Sequence, residues 1–444
     1  MSGISDAMIA AGGHLQGLGR SLSIIQTNIG NAATPGYARQ DLVSVAGMSI
    51  VSEFAQASSR DEFAEQAVRR QTSQLGRFDQ ASAVLRQVEP SFGAAGDAEI
   101  PKAISNLFAT LSGLTAAPND TRTRQLVLDR AAQLGRAFNS TATMLQNIAG
   151  EARHQVLVSV ESINRLASFV RDFNVTQAAN AAAGDNAIVD AKLNDTIEKM
   201  SEFAGVQTLR QNDGTITLLL GGQTALVVGQ NVYTIQADLA SGPTAAIRNS
   251  DGIDVTAHVT SGRLSGALQA VNQFLPTYQG GLDQLAQGIA DAVNTALAAG
   301  VDVNGNPGAA LFTYTPPNIA ASLATTGITA GELAAATPGA PGGNGNALTL
   351  AGLESSLTIG GLTFAGFYGN LAAGVGRDVA DARDNLDVQK QVLAQAREQR
   401  SESSGVSLDE EAVRLVEYQR AYQATARLIS VLDQLSETVI NMIR

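Results

Sequence analysis

The first thirty residues constrain the fold more than any other stretch. Ile4, Met8, Ala11, Leu15, Leu18, Leu22, Ile25, Ile29 and Ala32 alternate steps of four and three, the spacing of a heptad seam. A helix over that span is roughly 43 Å long at about 1.5 Å per residue. Gly12, Gly13, Gly17 and Gly19 fall inside it, each costing on the order of 1 kcal/mol relative to Ala. Such a helix forms when packed and frays when free, so the seam needs a partner. Taken alone, the stretch also fits an ordinary amphipathic core helix. The other end of the chain shifts the balance. Ser407-Leu-Asp-Glu410 reads as a capping box. Leu408, Ala412, Leu415, Gln419, Tyr422, Ala426 and Ile429 again step by four and three. The phase then slips to Leu432, Leu435, Val439 and Met442, a stutter. Breakers set both seams off from the rest, and the simplest arrangement pairs the two ends with each other.

Between the seams the pattern is mostly helical. Pro35-Gly36 suits a type II turn after the first helix. Tyr37 and Arg39 lead into an extended segment, Gln40 to Val51, read as a loop with a short strand. Helices are expected from about Arg60 to Val88 and from Ile100 to Leu114. Asp120 then caps either one very long helix to about Ala182 or two in line with a break near Gly150. Gly184-Asp185 restarts another, with Ile188, Leu193, Ile197, Met200 and Phe203 inward. At Gly205 the period becomes strand-like. Asp213-Gly214 predicts a type I′ hairpin, followed by short strands at Leu226–Val228, Val232–Ile235 and Ile253–Val255. Helix resumes near Arg263 and runs past Leu297, kinked or divided at Pro276. Ala336 to Asn346 is a loop, Leu357 to Phe367 is β-like, and Leu371 to Leu393 is helical up to a polar break at Ser401–Gly405.

The expected fold is therefore mainly α with a smaller β part. Residues 1–40 with 405–444 make a terminal coiled coil, 41–204 with 262–404 a long-helix bundle, and 205–261 an inserted small β domain. A chain of 444 residues can hold a sizeable core. Its formal net charge of -12 argues against broad binding of nucleic acid or anionic membranes. The absence of Cys excludes disulfides, thiolate metal sites and a thiol nucleophile. No basic region precedes an apolar run at the N-terminus, and no run reaches the ~18 residues of a membrane span.

Catalytic chemistry finds no footing. His14, His154 and His258 lie in separate segments without partners at metal-ligand spacing. No Gly-x-Ser-x-Gly, P-loop or Rossmann fingerprint occurs. Asp302-x-Asn304-x-Asn306 begins like a calcium loop, but Pro307 and Thr313 occupy the positions that need Gly and Glu. Asp409-Glu410-Glu411 suits the first turn of a helix, and Arg69-Arg70 with Arg397 and Arg400 read as solvated helix faces. No catalytic residue, metal or cofactor is expected.

Both termini carry a family resemblance. Gln26-Thr-Asn-Ile-Gly-Asn-Ala-Ala-Thr-Pro-Gly-Tyr-Ala-Arg-Gln40 resembles the N-terminal signature of the axial proteins of the bacterial flagellum. Gly405-Val-Ser-Leu-Asp-Glu-Glu-Ala-Val-Arg-Leu-Val-Glu-Tyr-Gln-Arg-Ala-Tyr-Gln-Ala-Thr-Ala-Arg427 is similar to the C-terminus of the hook-associated protein 1 family. The order of the middle segments fits that family as well.

The resemblance implies a structural adaptor and no enzyme. It would assemble at the hook tip as the first hook–filament junction protein, templating the next junction protein and filament growth. Its terminal helices would form the inner layer, largely disordered in the monomer and folding on assembly. Implied partners are the hook protein, hook-associated protein 3, further copies in a ring, and an export chaperone on the C-terminal helix. No nucleic acid or membrane is among them. The implied location is extracellular, reached by type III export without a cleaved signal peptide. The assembly residues expected from the seams are Ile4, Met8, Leu15, Leu18, Leu22, Ile25, Ile29, Leu408, Leu415, Tyr422, Ile429, Leu432, Leu435 and Val439. Pro35, Gly36 and Tyr37 turn the chain between seam and bundle.

Overall fold

The long periodic stretches become long helices. The computed structural model describes residues 2–45, 53–93, 99–179, 186–240 and 244–443. Helix α1 spans Ser2–Asn31, α2 Glu62–Val88, α3 Glu99–Ala116, α4 Thr121–Ala179 and α5 Ala187–Phe203. Helix α4 is one unbroken rod of 59 residues, roughly 88 Å at about 1.5 Å per residue. Gly150 does not interrupt it. That glycine faces open space, while Leu145, Ile148, Ala152 and Val156 are buried on either side of it. Packing therefore outweighs a penalty of about 1 kcal/mol. Asp120 caps α4 by accepting from the Thr123 N–H at 2.9 Å. The expected restart at Gly184-Asp185 lies outside the described residues. Asn186 caps α5 instead, and Ile188 in its first turn points outward, not inward, whereas Leu193, Ile197 and Met200 are buried.

The next helical run comprises α6 (Gly262–Gln269), a π-helical turn at Ala270–Phe274 and α7 (Leu275–Ala298). Pro276 explains the wider turn. It has no N–H to donate and its ring crowds the carbonyl four residues back. Two short helices follow, α8 (Ile319–Ser322) and α9 (Gly345–Gly352), then α10 (Phe364–Ser404) and α11 (Leu408–Ile443). The expected polar break at 401–405 shrinks to residues 405–407, because Ser401 to Ser404 complete the last turn of α10. Helices α2, α6 and α10 pack together, as do α3 and α4. A Cβ at Gly266 would collide with the backbone of α2 at Arg77, so α2 and α6 touch main chain to main chain. One continuous core takes in Leu85, Phe108, Phe138, Ile163, Leu285 and Phe364. Among the described residues no helix is long and apolar enough to cross a membrane.

The strands depart more from expectation. Strand β1 (Gln40–Val45), the short strand expected in the extended segment, pairs antiparallel with β2 (Glu53–Ser58), for which the sequence carries no expectation. Glu-Phe-Ala-Gln-Ala-Ser lacks the β-branched residues that mark strands. A four-stranded antiparallel sheet holds β3 (Val206–Arg210), β4 (Ile216–Leu220), β5 (Thr224–Val228) and β6 (Asn231–Val232) in that order. Two-stranded pairs join β7 (Gln236–Asp238) to β8 (Ala246–Arg248), and β9 (Phe312–Thr313) to β10 (Ala324–Thr325). The expected strand at Ile253–Val255 reduces to one bridge, Arg248 to Asp254, and the β-like patch before α10 to another, Ile359 to Leu362. The β3–β4 turn is not type I′. Gly214 has φ +78, but no non-glycine residue described has a positive φ, so Asp213 does not. Its carboxylate accepts from the Thr215 N–H and hydroxyl, which holds a three-residue loop closed by a left-handed glycine.

Asparagine side chains attach the extended segments to the helices. Asn164 donates to the Ile235 carbonyl at 2.8 Å and accepts from its N–H at 3.0 Å. Asn174 does the same to Ile216, Asn272 to Ala245 and Asn294 to Phe312. A carboxamide presents one donor and one acceptor side by side, as a neighbouring strand would. Each helix thus satisfies main-chain groups that sheet pairing leaves open. The strand core, with Leu218, Leu226 and Ile247, is continuous with the helical core.

Candidate assembly surface

Helices α1 and α11 lie side by side. On α11 the less exposed positions are Glu411, Arg414, Leu415, Tyr418, Thr425, Ile429, Leu432, Ser436 and Val439. Arg414 apart, and with one step of seven from Tyr418 to Thr425, they step by four and three in one phase. The stutter expected at Leu432 is therefore absent, and the expected seam positions Ala412, Gln419 and Ala426 are exposed. Thr425 and Ser436 hold seam positions that an apolar pattern does not reveal. Tyr422 falls in the same phase, and its ring lies 3.8 Å from where a Gly19 Cβ would stand. An added Cβ would meet the ring at ordinary van der Waals distance, so the packing does not require glycine there. On α1, Ala11, Ile24 and Ile25 are buried, while Ile4, Met8, Leu15, Leu18, Leu22 and Ile29 are half-buried. Leu408 and Leu435 stand off this face, 54% and 48% exposed. With Val413, Val416, Leu428, Val431, Ile440 and Met442 they leave α11 with further exposed apolar side chains.

A buried polar junction locks the pair to the chain that follows. Thr34 to Tyr37 closes a turn, the Tyr37 N–H donating to the Thr34 carbonyl at 3.1 Å. Gly36 has φ +72, as a type II turn requires, and a Cβ there would strike the Ala191 carbonyl of α5. The turn therefore seats directly on the bundle. Arg60 adds a hydrogen bond to the Gly36 carbonyl at 2.6 Å. Asn28, 1% exposed, uses all four of its hydrogen-bonding positions. It donates to the Gln40 carbonyl at 2.9 Å and to Glu411 Oε2 at 3.3 Å. It accepts from the Tyr37 hydroxyl at 2.9 Å and the Gln40 N–H at 3.0 Å. Glu411 is also 1% exposed, so it is a buried partner and not a solvated first-turn acid. Burial, then the charge of Glu411, pushes the Tyr37 hydroxyl up to about 12. The capping box is half formed. Ser407 Oγ accepts from the Glu410 N–H at 3.4 Å, but the Glu410 carboxylate sits 3.9 Å from Arg39 instead of reaching back.

Below that junction a second polar cluster ties α2, α5 and α10 together. Arg400 contacts Glu198 at 2.6 Å and Glu65 at 3.2 Å. Arg397 contacts Glu198 at 3.0 Å, and Arg60 contacts Glu65 at 2.5 Å. Arg69 is buried and donates to Asn194 and Thr208. Neither Arg69 nor Arg400 is the solvated face expected from sequence. Glu65 and Arg69 stand beside Ala64 and Val68 on the inward side of α2, which is the only signal the sequence carried. The Ser404 hydroxyl and carbonyl bond the Asp61 and Arg39 N–H groups at 2.9 Å each, so the end of α10 holds the base of the β1–β2 hairpin.

Burial opposes ionisation of Glu198, but hydrogen bonds and charge from Arg400, then Arg397, hold its carboxyl below the usual range. A depressed folded pKa contributes stability above the ordinary carboxylate value of about 4.3. That contribution is lost as pH falls through the lower folded value. Urea unfolding is expected to show a lower midpoint at pH 3 than at pH 5.5, with a shallower drop in Glu198→Gln. An equal drop in both would remove Glu198 from the explanation.

The terminal helices thus pair with each other and are locked by buried polar contacts onto a long-helix bundle. The model of the flagellar hook-associated protein FlgK helical domain matches residues 85–312. That of the flagellar basal body rod FlgEFG protein C-terminal region matches residues 397–442. The chain belongs to the flagellar hook-associated protein FlgK family. Flagellar hook-associated protein 1 of Bacillus subtilis (strain 168) is 23% identical over 480 residues, covering 95% of each chain. That of Escherichia coli (strain K12) is 22% identical, covering 85% of this chain and 86% of the relative. The flagellar hook junction protein FlgK from Burkholderia pseudomallei shares the fold with a TM-score of 0.69 at 16% identity. The match covers 76% of this chain and 99% of that one.

Proposed function

We propose that this chain is a structural adaptor of the bacterial flagellum, assembling on the hook tip as the first hook–filament junction protein. The observation that carries this reading is the terminal pair. Helices α1 and α11 come from opposite ends of the chain, pack on each other, and are keyed to the bundle through Asn28, Glu411 and the Pro35-Gly36 turn. Exposed apolar side chains on α11 remain free for neighbouring copies. The terminal pair forms the inner layer, the long-helix bundle the next, and residues 205–261 the outer β part. A ring of copies sits on the hook protein and presents its far side to hook-associated protein 3, templating filament growth. The chain leaves the cell by type III export without a cleaved signal peptide, with a chaperone holding the C-terminal helix until then. The activity is assembly and not catalysis.

Adding labelled protein back to hooks that lack filaments tests this directly. Label confined to hook tips is expected, with filament growth restored once hook-associated protein 3 and flagellin are supplied. Label along the shaft would indicate a hook-type subunit, and no binding would overturn the adaptor reading.

A further inference from the structure

A cleft of about 740 Å³ opens between α2 and the edge strand β3, lined by Phe63, Arg69, Arg70, Thr208, Leu209 and Ser261 among others. Three features suit it to an extended peptide. First, among the described residues β3 pairs only with β4. The Gly221 N–H bonds the Gly205 carbonyl and the Gln211 N–H bonds the Thr215 carbonyl. Alternation then turns the N–H and C=O groups of Val206, Thr208 and Arg210 away from β4. An edge of this kind takes an added strand readily. Second, the rim is apolar where solvent reaches it: Phe63 is 84% exposed and Leu209 is 52% exposed. Third, the wall carries two arginines. Arg69 is 7% exposed and its Nε has no hydrogen-bond partner; among the described residues no carboxylate stands within ion-pair distance of it, and Glu65, Glu62 and Glu198 act on it only from further off. Glu65, one helical turn away, is taken by Arg60 and Arg400. Arg70 is exposed, and among the described residues nothing bonds or ion-pairs its side chain.

We propose that this cleft receives an extended, acidic segment of a second copy of the chain, added as a strand on β3. Its carboxylate would meet Arg69 and Arg70, and an apolar side chain would cover Phe63 and Leu209. Charge complementarity favours a second copy. The chain carries 41 Asp and Glu against 29 Lys and Arg, so its own surface is the kind a cationic cleft attracts. The inference rests on the reading that copies assemble side by side in a ring.

The test uses full-length chain assembled on filament-less hooks, with Phe63→p-benzoylphenylalanine as the photo-crosslinking probe. Hook-tip labelling is scored in the same sample, so failure to assemble is read separately from failure to crosslink. The expected product is a crosslinked pair of copies, with the attachment mapped to an acid-containing extended segment. Arg70→Glu should lower its yield about tenfold, and Arg70→Gln should lower it less, both with unchanged thermal unfolding. Thr208→Pro, which removes one outward N–H, should lower it as well. Normal tip labelling without crosslinked pairs, crosslinks only to another axial protein, or a yield indifferent to Arg70→Glu would each overturn the proposal.

Discussion

Replacing Leu415, Tyr422 and Ile429 together by Ser is expected to abolish incorporation at hook tips while the bundle stays folded. Leu415 and Ile429 are half-buried positions of the α11 face toward α1, and Tyr422 lies over Gly19. Half-burial of such side chains stabilises by about 1 kcal/mol each, and Leu415→Ser adds roughly 0.5 kcal/mol of lost helix propensity, whereas Ile and Tyr rank with Ser. The total, roughly 3 to 4 kcal/mol, shifts the pairing equilibrium by about a few hundredfold. Helix α1 has little reserve against that, since its glycines already work against it. The core around Leu85, Phe138 and Leu285 contains none of the three residues, so the thermal transition of the bundle should not move. Chaperone binding should fall in parallel, because the proposed chaperone site lies on the same helix. Labelled electron microscopy reads the assembly and circular dichroism reads the loss of terminal helix. A triple variant that still caps hooks would mean that the seam does not hold the ends together.

The long helices were legible because burial on one side writes a 3.6-residue period into the chain, and α2, α3, α4 and α7 follow it closely. The turn at Pro35-Gly36 was legible because only a few residue types satisfy its backbone. The polar contacts that join these parts were not. Asn28 and Glu411 are 383 residues apart, and neither disturbs an apolar pattern enough to be noticed. The paired asparagines at 164, 174, 272 and 294 escape for the same reason. A polar residue within a helix reads as solvated until an extended segment is seen beside it. Arg400 and Glu198 pair across elements distant in sequence, so their charges looked like ordinary surface. The heptad phase of α11 departs from the expected seam along the helix, because Glu411, Tyr418, Thr425 and Ser436 are the less exposed positions while Ala412, Gln419, Ala426 and Leu435 are exposed. Small polar residues are tolerated there because the α1–α11 contact is only half-buried, which weakens the link between hydrophobicity and position.

Asn28→Leu is expected to release the terminal pair from the bundle without unfolding either. The substitution is close in volume but leaves the Gln40 N–H and C=O, the Tyr37 hydroxyl and Glu411 Oε2 without their present partner. Each orphaned buried group costs about 1 to 3 kcal/mol, so the junction opens to water sooner than it bears the sum. Tyr37 reports the opening. Its hydroxyl is held near 12 by burial and by Glu411, and on exposure it returns toward the ordinary value of about 10. The sign follows from linkage. While the junction is closed, the folded state keeps the Tyr37 proton above pH 10 and the open state loses it. Raising the pH from 10 toward 12 therefore favours opening in the unsubstituted chain. Asn28→Asp separates geometry from charge. It keeps two acceptors but places a carboxylate beside Glu411, and two close carboxylates share a proton. That variant should recover part of its closure as pH falls below about 5, whereas Asn28→Leu should not. Ultraviolet titration of tyrosinate, with Tyr37→Phe as the reference, reads the first effect, and hook-tip labelling reads the consequence. If Tyr37 in Asn28→Leu still titrates near 12 and the variant still caps hooks, the junction is not what keys the terminal helices to the bundle.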